Sequence, residues 1–190
     1  MASRRPDVLW CENRRRRAGN GWCFQPAVER KLREFTAGKR VGHLFGGLSK
    51  FGTKLDIDAR TKPHVLGDAW LAPFIRDAFD VVILDPPYVE LNQHMYLQLL
   101  TQAAWIAREH VIWFHTMWLA NGRAGRLEQG WLVRVGDMCA VRALQVFRVP
   151  DPKREPVRFF DRGPAVRYNR WIAGNQRLPF PPAPRIRRTG

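Results

Sequence analysis

Long hydrophobic runs are missing from the sequence. No apolar stretch reaches the roughly 18 residues that a helix needs to cross a bilayer, and the opening residues 1–7 have no hydrophobic signal core behind their charges. This pattern excludes a membrane-spanning protein and one secreted through a recognisable signal peptide. We therefore expect a soluble, cytoplasmic protein with no membrane partner.

Cysteine is scarce and scattered. Cys11, Cys23 and Cys139 form an odd set, and no two of them have the spacing of two to four residues that is typical of zinc sites. We expect buried or free thiols and no metal. A metal site that uses Cys11 and Cys23 is the disfavoured alternative.

Acidic residues are also in short supply. Against 32 Lys and Arg there are 17 Asp and Glu, so the formal net charge is +15 and the isoelectric point is near 11.1. Such an excess favours a polyanionic partner, and nucleic acid is the leading candidate. A length of 190 residues with 45% hydrophobic content suits one domain with a short appendage, which excludes a large separate recognition domain.

Strand-like and helical segments alternate along the middle of the chain. The most distinctive strand precedes Asp85, because Val81 to Leu84 are four consecutive aliphatic residues, as in a parallel strand covered on both faces. Pro26 suits the first turn of a helix over residues 25–35. The remaining predicted elements are strands at 40–45, 54–58, 64–68 and 110–114, a helix at 93–108 and a hairpin of 131–135 with 141–149.

This order of elements predicts the fold class and the domain organisation. Strand, helix, strand is the crossover unit of a doubly wound sheet, so we expect an α/β fold with a mostly parallel sheet and a C-terminal antiparallel hairpin. The domain should span residues 24–150. Residues 1–23 are predicted to be a basic, irregular N-terminal segment, and residues 151–190 to be a basic tail rich in aromatic residues and proline.

Both basic segments are predicted to contact nucleic acid. From residue 153 to the end of the chain, ten Lys and Arg stand against two acids, interleaved with aromatic side chains. Positive side chains bind phosphates, and an exposed tryptophan can stack on a base. The candidate residues are Arg14, Arg15, Arg16, Arg17, Arg167, Arg170 and Trp171.

The segment Asp85-Pro86-Pro87-Tyr88 carries the most specific chemistry. It follows the predicted buried strand, at the end where open α/β sheets bind their ligands. The two prolines fix a stiff turn, so that the Asp85 carboxylate and the Pro86 carbonyl can accept hydrogen bonds from one amino group. Tyr88 offers a flat face for a planar ring. The segment therefore predicts a catalytic site that orients an amino group.

With these motifs, residues 24 to 116 resemble the class I amino-methyltransferases, which include the DNA adenine-N6 and cytosine-N4 enzymes. The resemblance rests on Phe45-Gly46-Gly47, Asp56 with Asp58, Gly67-Asp68 and Asp85 to Tyr88, in the order of the family. It implies a Rossmann-like methyltransferase fold and S-adenosylmethionine as the cofactor.

The resemblance also implies roles for individual residues. Phe24 and Pro26 would lie near the methionine end of the cofactor, and Phe45, Gly46 and Gly47 would pass under its methionine and ribose. Asp56 would bind the ribose hydroxyls, with Asp58 less favoured. Asp68 would hold the adenine amino group, with Ala69 or Trp70 beside the ring. Asp85, Pro86, Pro87 and Tyr88 would grip the target amino group.

One departure concerns the connection from the glycine pair to the acidic strand. Family members have a full helix there, but only Leu48 to Lys54 separate Gly47 from Leu55, and seven residues at a rise of about 1.5 Å form barely two turns. The sequence therefore predicts either a loop in place of this helix or slightly different strand boundaries.

These observations lead to a functional hypothesis with open alternatives. We predict DNA methylation at adenine N6, since Tyr at the fourth motif position is typical of that branch. An RNA guanine-N2 or adenine-N6 methyltransferase and a non-catalytic nucleic-acid-binding protein with the same fold remain open. Protein glutamine methyltransferases usually have Asn where this chain has Asp85. His115 is expected to be a core or rim histidine and not a base.

Overall fold

The structure, a computed structural model, describes residues 7–11, 24–87, 93–116, 118–119, 125–135 and 141–150. These form an eight-stranded sheet with the order β1-β7-β8-β6-β5-β2-β3-β4. The strands are β1 (Asp7–Cys11), β2 (Val41–Leu44), β3 (Thr53–Asp56), β4 (Val65–Leu66), β5 (Phe79–Leu84), β6 (Ala107–His115), β7 (Arg126–Val135) and β8 (Val141–Arg148); the helices are α1 (Pro26–Thr36) and α2 (Gln93–Ile106).

Strand directions agree with the predicted fold class. Strands β4, β3, β2, β5 and β6 pair in parallel in that order, and β8 pairs antiparallel with both β6 and β7. The sheet is thus mostly parallel and closes with an antiparallel pair near the C-terminal end of the domain. The predicted crossover from β5 through α2 to the parallel strand β6 is confirmed.

Helices α1 and α2 cover opposite faces of the central strands. Alternate residues of β5 serve the two sides: Val81 and Ile83 pack with the buried face of α1, whereas Val82 and Leu84 pack with that of α2, and all four are fully buried. Four consecutive aliphatic residues are required because both faces of this strand are covered.

Local sequence explains where α1 begins and ends. Pro26 occupies the first turn, where its missing N–H has no helical partner to lose, and Glu29 pairs with Arg33 at 2.7 Å one turn later. Val28 and Leu32 form its buried stripe. After the helix ends, Gly38 takes a left-handed conformation with φ of +72°.

The N-terminal segment departs from the prediction. Residues 1–23 were expected to be irregular, but Asp7–Cys11 is a strand that pairs in parallel with Trp131–Val135 of β7. The five-residue run has apolar side chains at its centre, and a partner strand 124 positions later supplies its hydrogen bonds. That long-range pairing cannot be inferred from local composition.

Few helices cover the β3 and β4 side of the sheet. Residues 45–52, between β2 and β3, contain no helix, which confirms the predicted loop. Short 3-10 helices, Ala59–Thr61 and Ala69–Leu71, follow β3 and β4. Neither α1 nor α2 in the described part of the chain is long and apolar enough to span a membrane.

Candidate active site

Four loops meet at the carboxyl ends of neighbouring strands. Leu44 at the end of β2 pairs with Leu84 at the end of β5 and with Leu55 of β3, and Asp56 pairs with Leu66 at the end of β4. Since these strands are parallel, the residues that follow them lie along one edge of the sheet. The predicted site residues that the fold brings to this edge are Phe45, Gly46, Gly47, Asp56, Asp58, Asp68, Ala69, Asp85, Pro86 and Pro87.

The glycine loop after β2 has a constrained backbone. Phe45 and Gly47 both have positive φ angles, +62° and +48°, and the Gly46 N–H donates to the Leu55 carbonyl at 3.2 Å. A Cβ atom on Gly46 would lie 2.9 Å from both Cβ and Cγ of Lys54. Glycine is required at position 46 because the Lys54 side chain passes directly against the backbone.

Asp56 faces the glycine loop. Its Oδ2 accepts a hydrogen bond from the Gly47 N–H at 2.8 Å, and its Oδ1 accepts one from the Asp58 N–H at 2.9 Å. The carboxylate thus joins the loops after β2 and β3. Each oxygen has a further lone pair with which it can accept from a ligand hydroxyl.

Asp58 is placed differently. Both of its carboxylate oxygens accept from the Arg60 guanidinium, at 2.8 to 3.0 Å, and Oδ1 also accepts from the Arg60 N–H. These hydrogen bonds lower the pKa of Asp58, and they cap the 3-10 helix Ala59–Thr61. Asp58 is therefore oriented toward Arg60, whereas Asp56 is oriented toward the glycine loop.

Asp68 begins the next loop along the edge. Its Oδ1 accepts from the Trp70 N–H at 2.9 Å, which caps the 3-10 helix Ala69–Leu71, and Ala69 is buried. Partial burial raises the pKa of Asp68. Within the described residues, no hydrogen bond to its Oδ2 is formed, so this half-buried carboxylate has an acceptor to offer.

The Asp85 turn leaves the sheet beside the glycine loop. The Asp85 side chain is 7% exposed, Pro86 is buried and Pro87 is exposed. The prolines thus carry the chain from the covered sheet to the surface within two residues. Tyr88, the fourth residue of the motif, lies outside the described residues.

The start of α1 reaches the same edge of the sheet. Phe24 is buried, stacks on the His43 ring with a centroid distance of 5.1 Å, and meets Phe114 edge-on at 5.6 Å. Pro26, the first residue of the helix, is exposed. Between them, the buried Gln25 Oε1 has no hydrogen-bond partner among the described residues.

Two histidines near this edge are buried. Burial lowers the pKa of His43 to about 4, with the charge of Lys54 acting in the same direction, and burial together with Arg142 lowers that of His115 to about 4. His115 stacks on Trp113 and meets Tyr96 edge-on. Both rings are thus neutral near pH 7, and the aromatic surroundings of His115 agree with the predicted core position.

The sequence analysis did not identify two residues at this edge, Lys54 and Ile57. Lys54, only 7% exposed, donates to the carbonyls of Gly47 and Thr61, and Ile57, 68% exposed, presents an apolar surface directly after Asp56. Lysine is rarely buried, so its place within strand β3 gave no signal. The short connection after Gly47 was the one available hint that a side chain must support the loop.

The nucleic-acid-binding candidates lie outside the described residues; they are Arg14, Arg15, Arg16, Arg17, Arg167, Arg170 and Trp171. In the part of the chain that the structure describes, no group of three or more His, Cys, Asp or Glu side chains is arranged to hold a metal ion. The predicted site residues that the structure describes at this edge therefore present mainly carboxylates, the glycine backbone and prolines.

No protein-family model and no curated protein matches the sequence. Among solved structures, the PH0226 protein from Pyrococcus horikoshii OT3 is similar, with a TM-score of 0.50 and 15% identity over 65% of this chain and 88% of that one. The tRNA (uracil-54, C5)-methyltransferase of Pyrococcus abyssi, solved with S-adenosyl-L-homocysteine, has a TM-score of 0.47 and 13% identity over 67% of this chain and 40% of its own. The N-methyltransferase NodS of Bradyrhizobium japonicum WM9 has a TM-score of 0.47 and 10% identity, over 65% of this chain and 93% of its own.

At these identities the similarity concerns the fold alone. The match to the PH0226 protein agrees with the observed strand order, and both show the Rossmann-like α/β fold that the sequence predicted, with a mostly parallel sheet and an antiparallel pair near the C-terminal end. A shared fold does not establish a shared reaction, so function has to be argued from the residues of the site.

Proposed function

We propose that this protein is an S-adenosylmethionine-dependent methyltransferase that modifies an exocyclic amino group of a nucleic-acid base, with adenine N6 in DNA as the substrate. One observation carries the proposal. The loops of four separate motifs, after β2, β3, β4 and β5, converge on one edge of the sheet, although 40 residues separate Phe45 from Asp85. Ligands of open α/β sheets bind at this edge.

The side chains at the edge fit the proposed cofactor. Asp56 has remaining acceptor capacity for ribose hydroxyls, and the half-buried Asp68 offers an oxygen to the adenine amino group. Ile57 supplies an apolar surface for the adenine ring, and the buried Gln25 Oε1 is an acceptor suited to the ammonium end of the methionine. When bound, S-adenosylmethionine supplies an electrophilic methyl group.

The turn after β5 would hold the target base. The Asp85 carboxylate, in a residue that is 7% exposed, and the Pro86 carbonyl are both hydrogen-bond acceptors, so a target amino group that donated to them would be fixed with its lone pair directed away from the turn. Tyr88 would stack on the base. Because an amino group paired in a duplex is inaccessible, the base must be flipped out or met in a single strand, at a cost of a few kcal/mol.

Charge supports a nucleic acid as the substrate. The net charge of +15 suits binding to phosphates, and the basic segments before residue 24 and after residue 150 would supply many of the contacts. DNA and adenine are favoured by the resemblance of Asp85 to Tyr88 to the DNA adenine-N6 enzymes. RNA is the second candidate, since a basic, aromatic tail binds either polymer.

Methyl transfer from labelled S-adenosylmethionine to DNA, RNA and protein in parallel, followed by nucleoside analysis, tests the proposal. We expect N6-methyladenine from DNA. Asp85→Asn should reduce the rate about a hundredfold or more, because the amino group loses a carboxylate acceptor and its orientation. Asp80→Asn is the matched control: the same change at the opposite end of β5 affects the ion pair with Arg40 and the hydrogen bond from the Arg40 N–H, away from the Asp85 turn.

Each alternative has its own outcome. Label in RNA alone would show that RNA, and not DNA, is the substrate. Label in protein alone would contradict the proposal. Absence of binding at millimolar S-adenosylmethionine in calorimetry would favour the non-catalytic nucleic-acid-binding protein. Equal rates for the Asp85 and Asp80 variants would remove Asp85 from the catalytic site.

A further inference from the structure

Lys54 is a buried cation directly beneath the glycine loop. Its side chain is 7% exposed, and its Nζ donates hydrogen bonds to the Gly47 carbonyl at 3.2 Å and to the Thr61 carbonyl at 2.8 Å. Taking an ammonium group out of water is costly, so its hydrogen bonds must compensate for the lost hydration. These two hydrogen bonds join the loop after β2, through Gly47, to the segment after β3, through Thr61.

Gly47 is held from both sides by the same strand. Lys54 binds its carbonyl, while Asp56, two residues further along β3, accepts from its N–H at 2.8 Å. Residues two apart in a strand point to the same face, so the two side chains act together on one residue. Between these contacts, Gly47 has a φ of +48°, a left-handed conformation that glycine adopts without steric cost.

The connection between β2 and β3 explains why such support is needed. Residues 45–52 contain no helix, so this loop lacks the regular backbone hydrogen bonds and packing that a helix would provide. It also includes Phe45, a non-glycine residue with φ of +62°, which is a strained conformation. The stem of Lys54 lies against Gly46, so the lysine contacts the loop along its length as well as at its charged end.

We propose that Lys54 is the positioning residue of the cofactor-binding loop, and that its ammonium group, with Asp56, takes the place of the absent helix by fixing the backbone of Gly47. This inference rests on the proposed function for its consequence, cofactor binding. Lys54 itself lies beneath the loop and acts through it. If the loop were ordered only part of the time, apparent affinity would fall by the fraction of molecules in the competent state.

Two substitutions at position 54 and one control elsewhere test the role. Lys54→Met keeps the length of the side chain and removes the charge and the donors, while Lys54→Gln retains an amide donor and is the milder change. Val146→Ala is the control, because it creates a cavity in the core that packs with α1 and lies on β8, which β6 and β5 separate from β2 in the sheet. The measurements are the Kd of S-adenosylmethionine by calorimetry, unfolding of the ligand-free protein in urea, and hydrogen exchange of the Gly47 amide.

For Lys54→Met we expect cofactor binding to weaken about tenfold or more, the loss if one molecule in ten holds a competent loop. The Gly47 amide should exchange faster, although its own acceptor, Asp56, is intact. Lys54→Gln should fall between wild type and Lys54→Met in both measurements. If Lys54→Met does not fold, the comparison of Lys54→Gln with wild type tests the role of Lys54. Val146→Ala should lower stability in urea and leave both measurements unchanged.

Unchanged affinity and unchanged Gly47 exchange in the position-54 variants would overturn the inference, as would equal losses in Val146→Ala. A wild-type protein that does not bind S-adenosylmethionine would contradict the proposed function instead. In that case the Gly47 amide still decides the role of Lys54: faster exchange in the position-54 variants alone supports it, and no difference refutes it.

Discussion

The centre of the sheet and its β3–β4 flank are covered in different ways. In the centre, α1 and α2 enclose β5 and β6 so fully that residues 81–84 and 111–113 have no exposed surface. On the flank, two 3-10 helices and loops provide the cover, and Leu66 and Ile57 are 57% and 68% exposed. One sheet thus contains a core covered by helices and a flank covered by loops.

The comparison shows what can replace a helix. On the flank, polar side chains hold backbone groups of the loops, as the buried Lys54 and the half-buried Asp56 do for Gly47. In the connection between β6 and β7, the fully buried Gln145 binds the N–H of Leu119 at 2.8 Å and its carbonyl at 2.7 Å. The centre is therefore stabilised mainly by apolar burial, and these connections by side-chain hydrogen bonds to the backbone.

The largest effect is expected for truncation in the centre. Leu99 of α2 is fully buried in the core against β5 and β6, so Leu99→Ala should lower the free energy of unfolding by about 2–5 kcal/mol, the cost of a cavity in a covered core. Leu66→Ala on the flank is the matched change at an exposed leucine and should cost much less. Urea unfolding measures both, and equal losses would break the distinction between the two regions.

An intermediate effect is expected from acid, through His43 at the boundary of the two regions. Burial lowers its pKa from 6.5 to about 4, so between these values the unfolded chain binds the proton that the folded protein excludes. Stability should therefore fall as the pH decreases from about 6.5, by about 2 kcal/mol between pH 7 and pH 5 for this one residue.

The pH dependence can be assigned to His43 by substitution. His43→Leu removes the titrating ring, so its unfolding free energy in urea should decline less between pH 7 and pH 5 than that of the wild type. His115, whose pKa is also lowered to about 4, should supply part of the remaining decline. Parallel stability profiles for wild type and His43→Leu would contradict the assignment.

The smallest effect is expected for the hydrogen bonds of Gln145. Gln145→Leu keeps the volume of the side chain but leaves the Leu119 backbone groups without their partner, at about 1 kcal/mol, since Leu119 is only half-buried. Gln129→Leu, the same substitution at an exposed position of β7, should be close to neutral. A neutral Gln145→Leu would show that backbone support matters only at the glycine loop.

Strong local patterns predicted most of the fold. Pro26 predicted the start of α1, and the aliphatic run before Asp85 predicted a strand covered on both faces; the structure confirms both. The resemblance to the amino-methyltransferases also implied that the loops after these strands share one edge of the sheet. These predictions succeed because helix periodicity, proline geometry and burial on both faces are properties of neighbouring residues.

Interactions between distant parts of the chain were not predictable in the same way. Asp7–Cys11 becomes a strand only because β7 offers an open edge more than 100 residues later. The choice between Asp56 and Asp58 depends on which side chain turns toward the glycine loop, and Arg60 engages Asp58. Neither outcome is encoded in local spacing.

The sequence by itself thus determined the fold class, the two helices, the central strands and the Asp85 motif, since local periodicity and backbone stereochemistry specify them. Only the tertiary structure decided that Lys54 is buried, that it and Asp56 hold Gly47, and that β1 completes the sheet. The physical reason is that desolvation and long-range hydrogen bonding depend on which groups the chain brings together. A buried ammonium group is stable only where acceptors such as backbone carbonyls lie within hydrogen-bond distance.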